Sequence, residues 1–190
     1  MAFIRNKAEG HPFYSEELAY ALRDNGFIEI KNNECLITSS AGNLDDLNLP
    51  GSLEGVITSR IDKMPPAHQL TLKVASVIGR AFALRELSAI YPIKSELAAL
   101  PEYLTHLEKQ ELTILDAPDP ESSYLFKHII TQEVAYNLLL FSQRRSLHRA
   151  IAEWYEGSFI QDIMMYYPVL AHHWKQADVP HKAVEYLEKS

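Results

Sequence analysis

The 190-residue sequence lacks the features that mark several classes of protein. It has one cysteine, Cys35, so an intrachain disulfide is impossible and a reducing compartment is expected. No apolar run is long enough to span a bilayer, and the first residues do not form a signal peptide. The net charge is −7, so the chain also lacks the positive charge that attracts nucleic acid or anionic membranes. These absences predict a cytoplasmic protein.

The sequence also lacks the motifs of a self-contained active site. Its seven glycines are scattered, and none belongs to a G-x-x-x-x-G-K-[ST] loop, which would cradle phosphates. There is no G-x-S-x-G, no H-E-x-x-H and no cysteine pair for zinc. Of the eight histidines, His172 and His173 are adjacent, but the others are far apart, so surface or capping roles are expected. We therefore predict no catalytic residue and no metal ligand.

Amphipathic helices are what the sequence does contain, and they predict a mainly α fold. Apolar residues recur at steps of three and four, as one buried helical face requires. Helices are predicted between Ser15 and Gly26 and over Leu53–Met64, Ala67–Ile78, Phe82–Ile90 and Glu102–Gln110. Short strands are predicted over Phe27–Lys31, Glu34–Thr38, Leu112–Leu115 and Tyr124–Lys127, with a surface loop at Ser39–Pro50.

Successive helices followed by a β-hairpin give the order of a winged helix, with the hairpin as its wing. The segment that would enter a DNA groove is 94–111. It carries Lys94 and Lys109 against four glutamates, a net charge of −2. Phosphate contact needs the opposite sign, so nucleic-acid binding is not expected and a packing module is favoured.

The densest pattern spans Tyr124–Glu156. A short strand leads through Lys127 and His128 into a helix for which Thr131 is a possible N-cap. The pattern assigns Ile130, Val134, Leu138, Leu147, Ile151 and Trp154 to the core and turns Arg144, Arg145, His148 and Arg149 mostly outward. His128 lies at the strand-to-helix junction, where amides and the helix dipole suit an anion. The alternative for His128 is a capping or partly buried polar side chain.

The last part of the chain resembles a tetratricopeptide unit. It contains two helical stretches, Tyr166–Gln176 and Lys182–Glu188, around Asp178-Val179-Pro180. One such unit does not bury its apolar face without stacked neighbours. The chain is therefore expected to be cut at its C-terminus, and also at its N-terminus, where a lone helix and hairpin precede the winged helix.

Four spaced motifs occur in the order found in one family. They are GHPFYSEEL at 10–18, LPGSLEGVI at 49–57 with Arg60, Asp62, Met64 and Pro65, ASVIGRAF at 75–82, and FKHIITQEVAYNLL at 126–139 with RRSLHRAIA at 144–152. Together they resemble the signal-transduction (STAND-type) NTPases of the AAA+ superfamily. The likeness is greatest to the ATPase portion of multidomain adenylate/guanylate cyclases, and it covers roughly residues 9 to 156.

The resemblance implies roles for two residues. In such proteins a proline at the lid packs on the adenine or ribose of the nucleotide, and Pro12 occupies that position. A histidine of the winged helix contacts the β-phosphate of ADP, and His128 occupies that position. His11 replaces the family's usual asparagine, and Lys127 and Ile129 differ from the neighbours usual in the related plant M-H-D motif. The P-loop, the Walker B acid and the sensor strand are absent, so ATP/ADP is expected only in a complete parent protein.

The resemblance also implies a division of the chain and a function. Segment 1–50 is expected to be the end of an ATPase lid with a linker, 51–130 a winged-helix domain, 131–160 a helical connector and 161–190 the start of tetratricopeptide-like repeats. The function expected is to couple ATP/ADP state to an output domain. Expected partners are the parent's nucleotide-binding and output domains and proteins bound by the repeats, with no membrane. Alternatives are part of an ATP-dependent transcription regulator, or a free-standing helical adaptor that binds proteins.

Overall fold

The structure is a computed structural model that describes residues 2–31, 34–38, 50–118 and 121–190. Within these residues it contains ten α-helices and two small antiparallel sheets, which confirms the prediction of a mainly α fold. It divides into two compact units, Met1–Met64 and Pro65–Ser190. Among the helices described, none combines the length and apolar character needed to cross a membrane.

In its described part, the first unit contains three helices and a hairpin. They are α1 (Ala2–Ala8), α2 (Pro12–Asp24), α3 (Leu53–Asp62), β1 (Ile28–Lys31) and β2 (Glu34–Ile37). Both α1 and α3 pack against α2, and the core contains Ala8, Leu18, Ala21 and Val56. The predicted helix at Ser15 begins earlier, at Pro12, because proline suits the first helical position. Apart from Pro50, the predicted loop Ser39–Pro50 lies outside the described residues.

The second unit contains seven helices and a three-stranded sheet in its described part. The helices are α4 (Pro66–Ile78), α5 (Leu84–Ile90), α6 (Leu100–Lys109), α7 (Ile129–Asn137), α8 (Phe141–Ser158), α9 (Tyr167–Gln176) and α10 (Pro180–Lys189). The strands are β3 (Ala81–Ala83), β4 (Thr113–Ala117) and β5 (Ser123–Phe126), in the order β3-β5-β4. Both neighbours of β5 run antiparallel to it. Helix α3, which the sequence-based division grouped with this region, belongs to the first unit.

Strand β3 corrects the prediction of a helix over Phe82–Ile90. That helix begins only at Leu84, and Phe82 pairs with Tyr124 of β5. The Phe82 ring is 2% exposed and lies 5.7 Å from the rings of both Tyr124 and Phe126. Local sequence favours a helix here, but the partner strand lies forty residues away, and burial against it decides the conformation.

Glu156 of α8 joins the last three helices. Its carboxylate accepts hydrogen bonds from the Trp174 indole of α9 at 2.9 Å and from the Tyr186 hydroxyl of α10 at 2.8 Å. Lys182, also on α10, donates to both of its oxygens at 2.9 and 3.0 Å. The loop between α9 and α10 is only three residues long and includes Asp178 at φ +60. The two helices therefore form a hairpin that is fastened to α8.

Candidate functional site

Pro12 is the first residue of α2 and is exposed to solvent. His11 caps the helix, because its Nδ1 accepts a hydrogen bond from the Tyr14 amide at 3.2 Å. Asparagine is among the preferred N-cap residues, so His11 supplies the same kind of acceptor at the position where the resembling family has asparagine. Gly10, at φ +80, provides the turn from α1 into this cap.

A buried ion pair lies behind this helix start. The Arg60 guanidinium of α3 donates to Glu17 of α2 at 2.6 Å, and the two side chains are 4% and 1% exposed. Arg60 also donates to Asp24 at 3.3 Å and lies over the Tyr20 ring, 4.8 Å from its centre. The pair joins two of the sequence motifs, since Glu17 belongs to the segment 10–18 and Arg60 follows the segment 49–57.

His128 is the N-cap of α7, two residues after the central strand β5. This corrects the prediction that Thr131 caps the helix: Thr131 lies inside α7, is 1% exposed, and donates its amide to the His128 carbonyl. The His128 side chain is half-buried, and its Nε2 atom is shielded from solvent.

Hydrogen bonds on both sides of His128 hold this junction in place. Before it, Phe126 donates its amide to the Arg80 carbonyl at 2.9 Å, and Lys127 donates its amide to the Leu112 carbonyl at 3.1 Å. After it, Gln132 of α7 donates to the Ser76 carbonyl of α4 at 2.7 Å. Pro12 belongs to the first unit and His128 to the second, so neither unit contains both predicted contacts.

A second group of side chains was missed by the sequence analysis. His148 of α8 and His172 and His173 of α9 each offer a ring nitrogen, and these three atoms lie within 4.8 Å of one another. The Nδ1 atoms of His148 and His173 are hydrogen-bonded at 2.8 Å. His148 and His173 are each 2% exposed, whereas His172 is exposed. We call these three residues the histidine cluster.

The opposite nitrogen of His148 is held by the last turn of α7. Its Nε2 lies 3.0 Å from the Tyr136 hydroxyl, within hydrogen-bond distance. A pocket of about 300 Å³ opens beside the cluster and is lined by Gln132, Tyr136, Phe141, Arg144, His148, His172 and Gln176. The cluster is therefore connected to solvent on the His172 side. The arrangement can ligate a metal ion or pass a proton.

All three imidazoles are held in their neutral form near pH 7. Burial lowers the pKa of His148 to about 4, with smaller contributions from His172 and Arg144. Burial also lowers the pKa of His173 to about 3, helped by its two histidine neighbours. The pKa of His172 is lowered by partial desolvation of its ring beside the pocket and then by Lys175. Neutral imidazole is the form that binds metals.

The prediction of surface or capping roles was wrong for His148 and His173, and the outward orientation assigned to His148 was wrong. The sequence contained a signal that could have corrected it. His148 precedes Ile151, Ala152 and Tyr155 by three, four and seven residues, and all three are buried. A histidine on that apolar face is buried with it. By contrast, nothing in the sequence brings His148 near His173, because that contact joins two helices.

Some apolar residues assigned to the core of Tyr124–Glu156 are less buried than predicted. Val134 and Ile151 are buried as expected. Four others are only half-buried: Ile130, Leu138, Leu147 and Trp154. On α7 the buried positions include Ala135 and Thr131 instead, because that face packs against α4.

No protein-family model matches the chain. The chain is similar to an uncharacterized protein of Rhizobium meliloti (strain 1021), with 30% identity over 100 residues. The matched part is 53% of this chain and 10% of that protein, so the match spans only a tenth of the relative's length.

Proposed function

We propose that the chain is part of a STAND-type ATPase regulatory protein, linked to an adenylate/guanylate cyclase or a similar output domain. In this proposal the first unit is the end of the nucleotide-binding lid, and α4 to β5 form a winged helix. The hairpin of α9 and α10 begins a tetratricopeptide array. ATP or ADP is the ligand of the complete protein, and the chain by itself hydrolyses neither. Its task is to change the output domain's activity according to the nucleotide that is bound.

The observation that carries the proposal is the sheet order around His128. Helix α4, strand β3, helices α5 and α6, and then the hairpin of β4 and β5 follow one another, with β5 between the other two strands. Helices followed by a hairpin in this order support a winged helix. His128 lies two residues after the central strand, at the N-cap position of α7, where a partial positive charge favours a phosphate.

The ion pair of Glu17 and Arg60 supports the assignment of the lid. Two motifs that are separated in the sequence contribute one partner each to a contact at 2.6 Å. The glutamate of one motif and the arginine of the other are therefore explained by the ion pair that they form. Such a contact is expected when both motifs belong to the same domain. Helix α6 is assigned a packing role, since Leu100, Leu104 and Leu107 are fully buried.

The first test concerns the upstream reading frame. The proposal requires a Walker A motif within about two domain lengths before this chain. A frame of that length without the motif contradicts the proposal.

The second test uses a longer protein that includes the nucleotide-binding domain. His128→Ala should lower the ADP retained after purification and raise basal output, because a phosphate contact is lost. His106→Ala, at a half-buried histidine of α6, is the matched control and should leave both unchanged. The amount of ADP is measured by chromatography after the protein is denatured. If His128→Ala retains as much ADP as the original protein, His128 does not contact the nucleotide. The isolated chain should bind ATP negligibly by calorimetry.

An adaptor that binds proteins is the second candidate, and the surface of α10 favours it. Val184 and Leu187 are 51% and 59% exposed on this helix. The two residues lie three positions apart, on one face of α10, where another protein segment can pack. If the chain is an adaptor, it should capture a partner without nucleotide, and deletion of residues 1–60 should not abolish capture. A downstream helix-turn-helix with a basic recognition helix would instead favour a transcription regulator.

A further inference from the structure

We propose that the histidine cluster binds a divalent transition-metal ion, with Zn²⁺ as the expected occupant, and that the bound ion fastens α9 to α8. The proposal concerns His148, His172 and His173 alone and does not depend on nucleotide binding. It rests on three imidazoles from two helices whose ligand atoms lie within 4.8 Å of one another. Three protein ligands with a water molecule in the fourth position are the arrangement found in catalytic zinc sites, whereas purely structural sites usually have four protein ligands.

The distances require only a small movement. Two imidazole nitrogens bound to tetrahedral zinc at about 2.0–2.1 Å are about 3.3 Å apart. The Nδ1 atoms of His148 and His173 are 2.8 Å apart, so they need to separate by about half an ångström. The ligand atom of His172 lies within 4.8 Å of the other two, so it must approach them by up to about 1.5 Å, and its side chain is exposed.

The Tyr136 hydroxyl orients the first ligand. A metal-binding histidine usually uses its other ring nitrogen to donate a hydrogen bond, which fixes the tautomer and the orientation of the ring. His148 Nε2 lies 3.0 Å from the Tyr136 oxygen, so its Nδ1 is the ligand atom. The proton shared between His148 and His173 must leave on binding. It passes to water while His173 takes up a proton at Nε2, and both rings stay neutral.

The surroundings restrict which metals fit. The cluster offers nitrogen ligands only, which suit zinc, copper, nickel or cobalt rather than magnesium or calcium. Arg144 and Lys175 add positive charge nearby and oppose a cation. The Arg144 guanidinium, however, donates to the carbonyls of Leu139 and Asn137, which holds it in place beside the pocket. The pocket leaves space for a water molecule as the fourth ligand.

The test is a titration of the full chain, first stripped with a chelator, with Co²⁺. Coordination by nitrogen ligands produces visible absorption, and added Zn²⁺ should then displace the cobalt. We expect saturation at one ion per chain and a higher melting temperature with Zn²⁺, because ions that bind only the folded state stabilise it. Zinc content after dialysis is measured independently by mass spectrometry.

The decisive variant is His172→Gln, which changes an exposed side chain and should leave the fold intact by circular dichroism. It should bind Co²⁺ at least about tenfold more weakly and lose the rise in melting temperature, since even a residue outside the ligand shell contributes about 10–100-fold. Tyr136→Phe should weaken binding by about tenfold. His181→Gln changes an exposed histidine of α10 and is the matched control that should behave like the original chain.

Two outcomes overturn the proposal. The first is no saturable Co²⁺ or Zn²⁺ binding by the folded chain. The second is equal binding by His172→Gln and His181→Gln, which would assign the ion to other residues. Loss of binding in His172→Gln alone supports it.

Discussion

The carboxylate of Glu156 provides the clearest test of how the last helices are held together. It accepts hydrogen bonds from Trp174, Lys182 and Tyr186, and these donors lie on α9 and α10. Glu156→Ala removes the acceptor and leaves two donors whose residues are only 2% and 8% exposed, Trp174 and Tyr186. We therefore expect α9 and α10 to be destabilised on α8.

The magnitude follows from the burial of each donor. A buried donor left without an acceptor costs about 1–3 kcal/mol, and there are two of them. The pair with Lys182 is partly exposed and adds at most about 1 kcal/mol. Because the Glu156 side chain is itself 23% exposed, water can replace part of the lost acceptor, and we expect a total near the lower part of that sum, about 3 kcal/mol. Glu156→Gln keeps a carbonyl acceptor and should cost about 1 kcal/mol.

The assay is equilibrium unfolding in urea, followed by tryptophan fluorescence. Trp174 lies at the contact itself, and the other tryptophan, Trp154, is in α8. Glu153→Ala, at an exposed glutamate of the same helix, is the matched control and should change stability by less than about 0.5 kcal/mol. If Glu156→Ala costs no more than Glu153→Ala, the carboxylate does not hold the hairpin, and the reasoning from buried donors fails.

Three further predictions concern other parts of the fold. Gly79 has φ +150, which an alanine rarely adopts, so Gly79→Ala should lower the free energy of unfolding by about 1–3 kcal/mol in thermal unfolding. The control is Gly157→Ala inside helix α8, which should raise the free energy of unfolding by up to about 1 kcal/mol, because alanine favours a helix more than glycine does. Arg60→Met leaves Glu17 buried without its charge partner and should cost about 3–5 kcal/mol in urea unfolding, and adding Glu17→Leu should recover part of it. Burial lowers the pKa of His68, so its folded form favours the neutral ring. The stability that neutral His68 contributes is present above about pH 6.5 and is lost as the pH falls through the pKa of His68 in the folded protein. His68→Gln should therefore reduce the loss of stability on acidification. The measurement is the melting temperature as a function of pH.

The helices were predictable because their signals are local. Pro66 and Gly79 bound α4, and the apolar spacing between them gives its buried face. Strand β3 was not predictable in this way, since Ala81-Phe82-Ala83 acquires its conformation from pairing with β5. Short strands depend on such distant partners more than helices do.

The site residues also divide into those with a local sequence signal and those that depend on a distant partner. His128 was predicted at a strand-to-helix junction, and the junction is found where a local pattern indicated it, with the cap three residues earlier than expected. The histidine cluster and the ion pair of Glu17 and Arg60 join residues 25 and 43 positions apart. Neither contact follows from periodicity, because periodicity identifies which face of a helix is buried and not which helix covers it.

Helix α7 connects the two proposed sites within the second unit. His128 lies at its N-cap position, and Tyr136, one residue before its end, contacts His148 of the cluster. A helix of nine residues is about 13 Å long, and Gln132 at its middle is bound to α4. A shift of α7 that follows nucleotide exchange at His128 would therefore move Tyr136 relative to His148. If metal binding and ADP binding are coupled through this helix, linkage requires that each changes the affinity of the other by the same factor. Tyr136→Phe removes the hydrogen bond that connects the two sites. Beyond its expected weakening of metal binding by about tenfold, it should abolish that factor, measured as the change in Co²⁺ affinity when ADP is added.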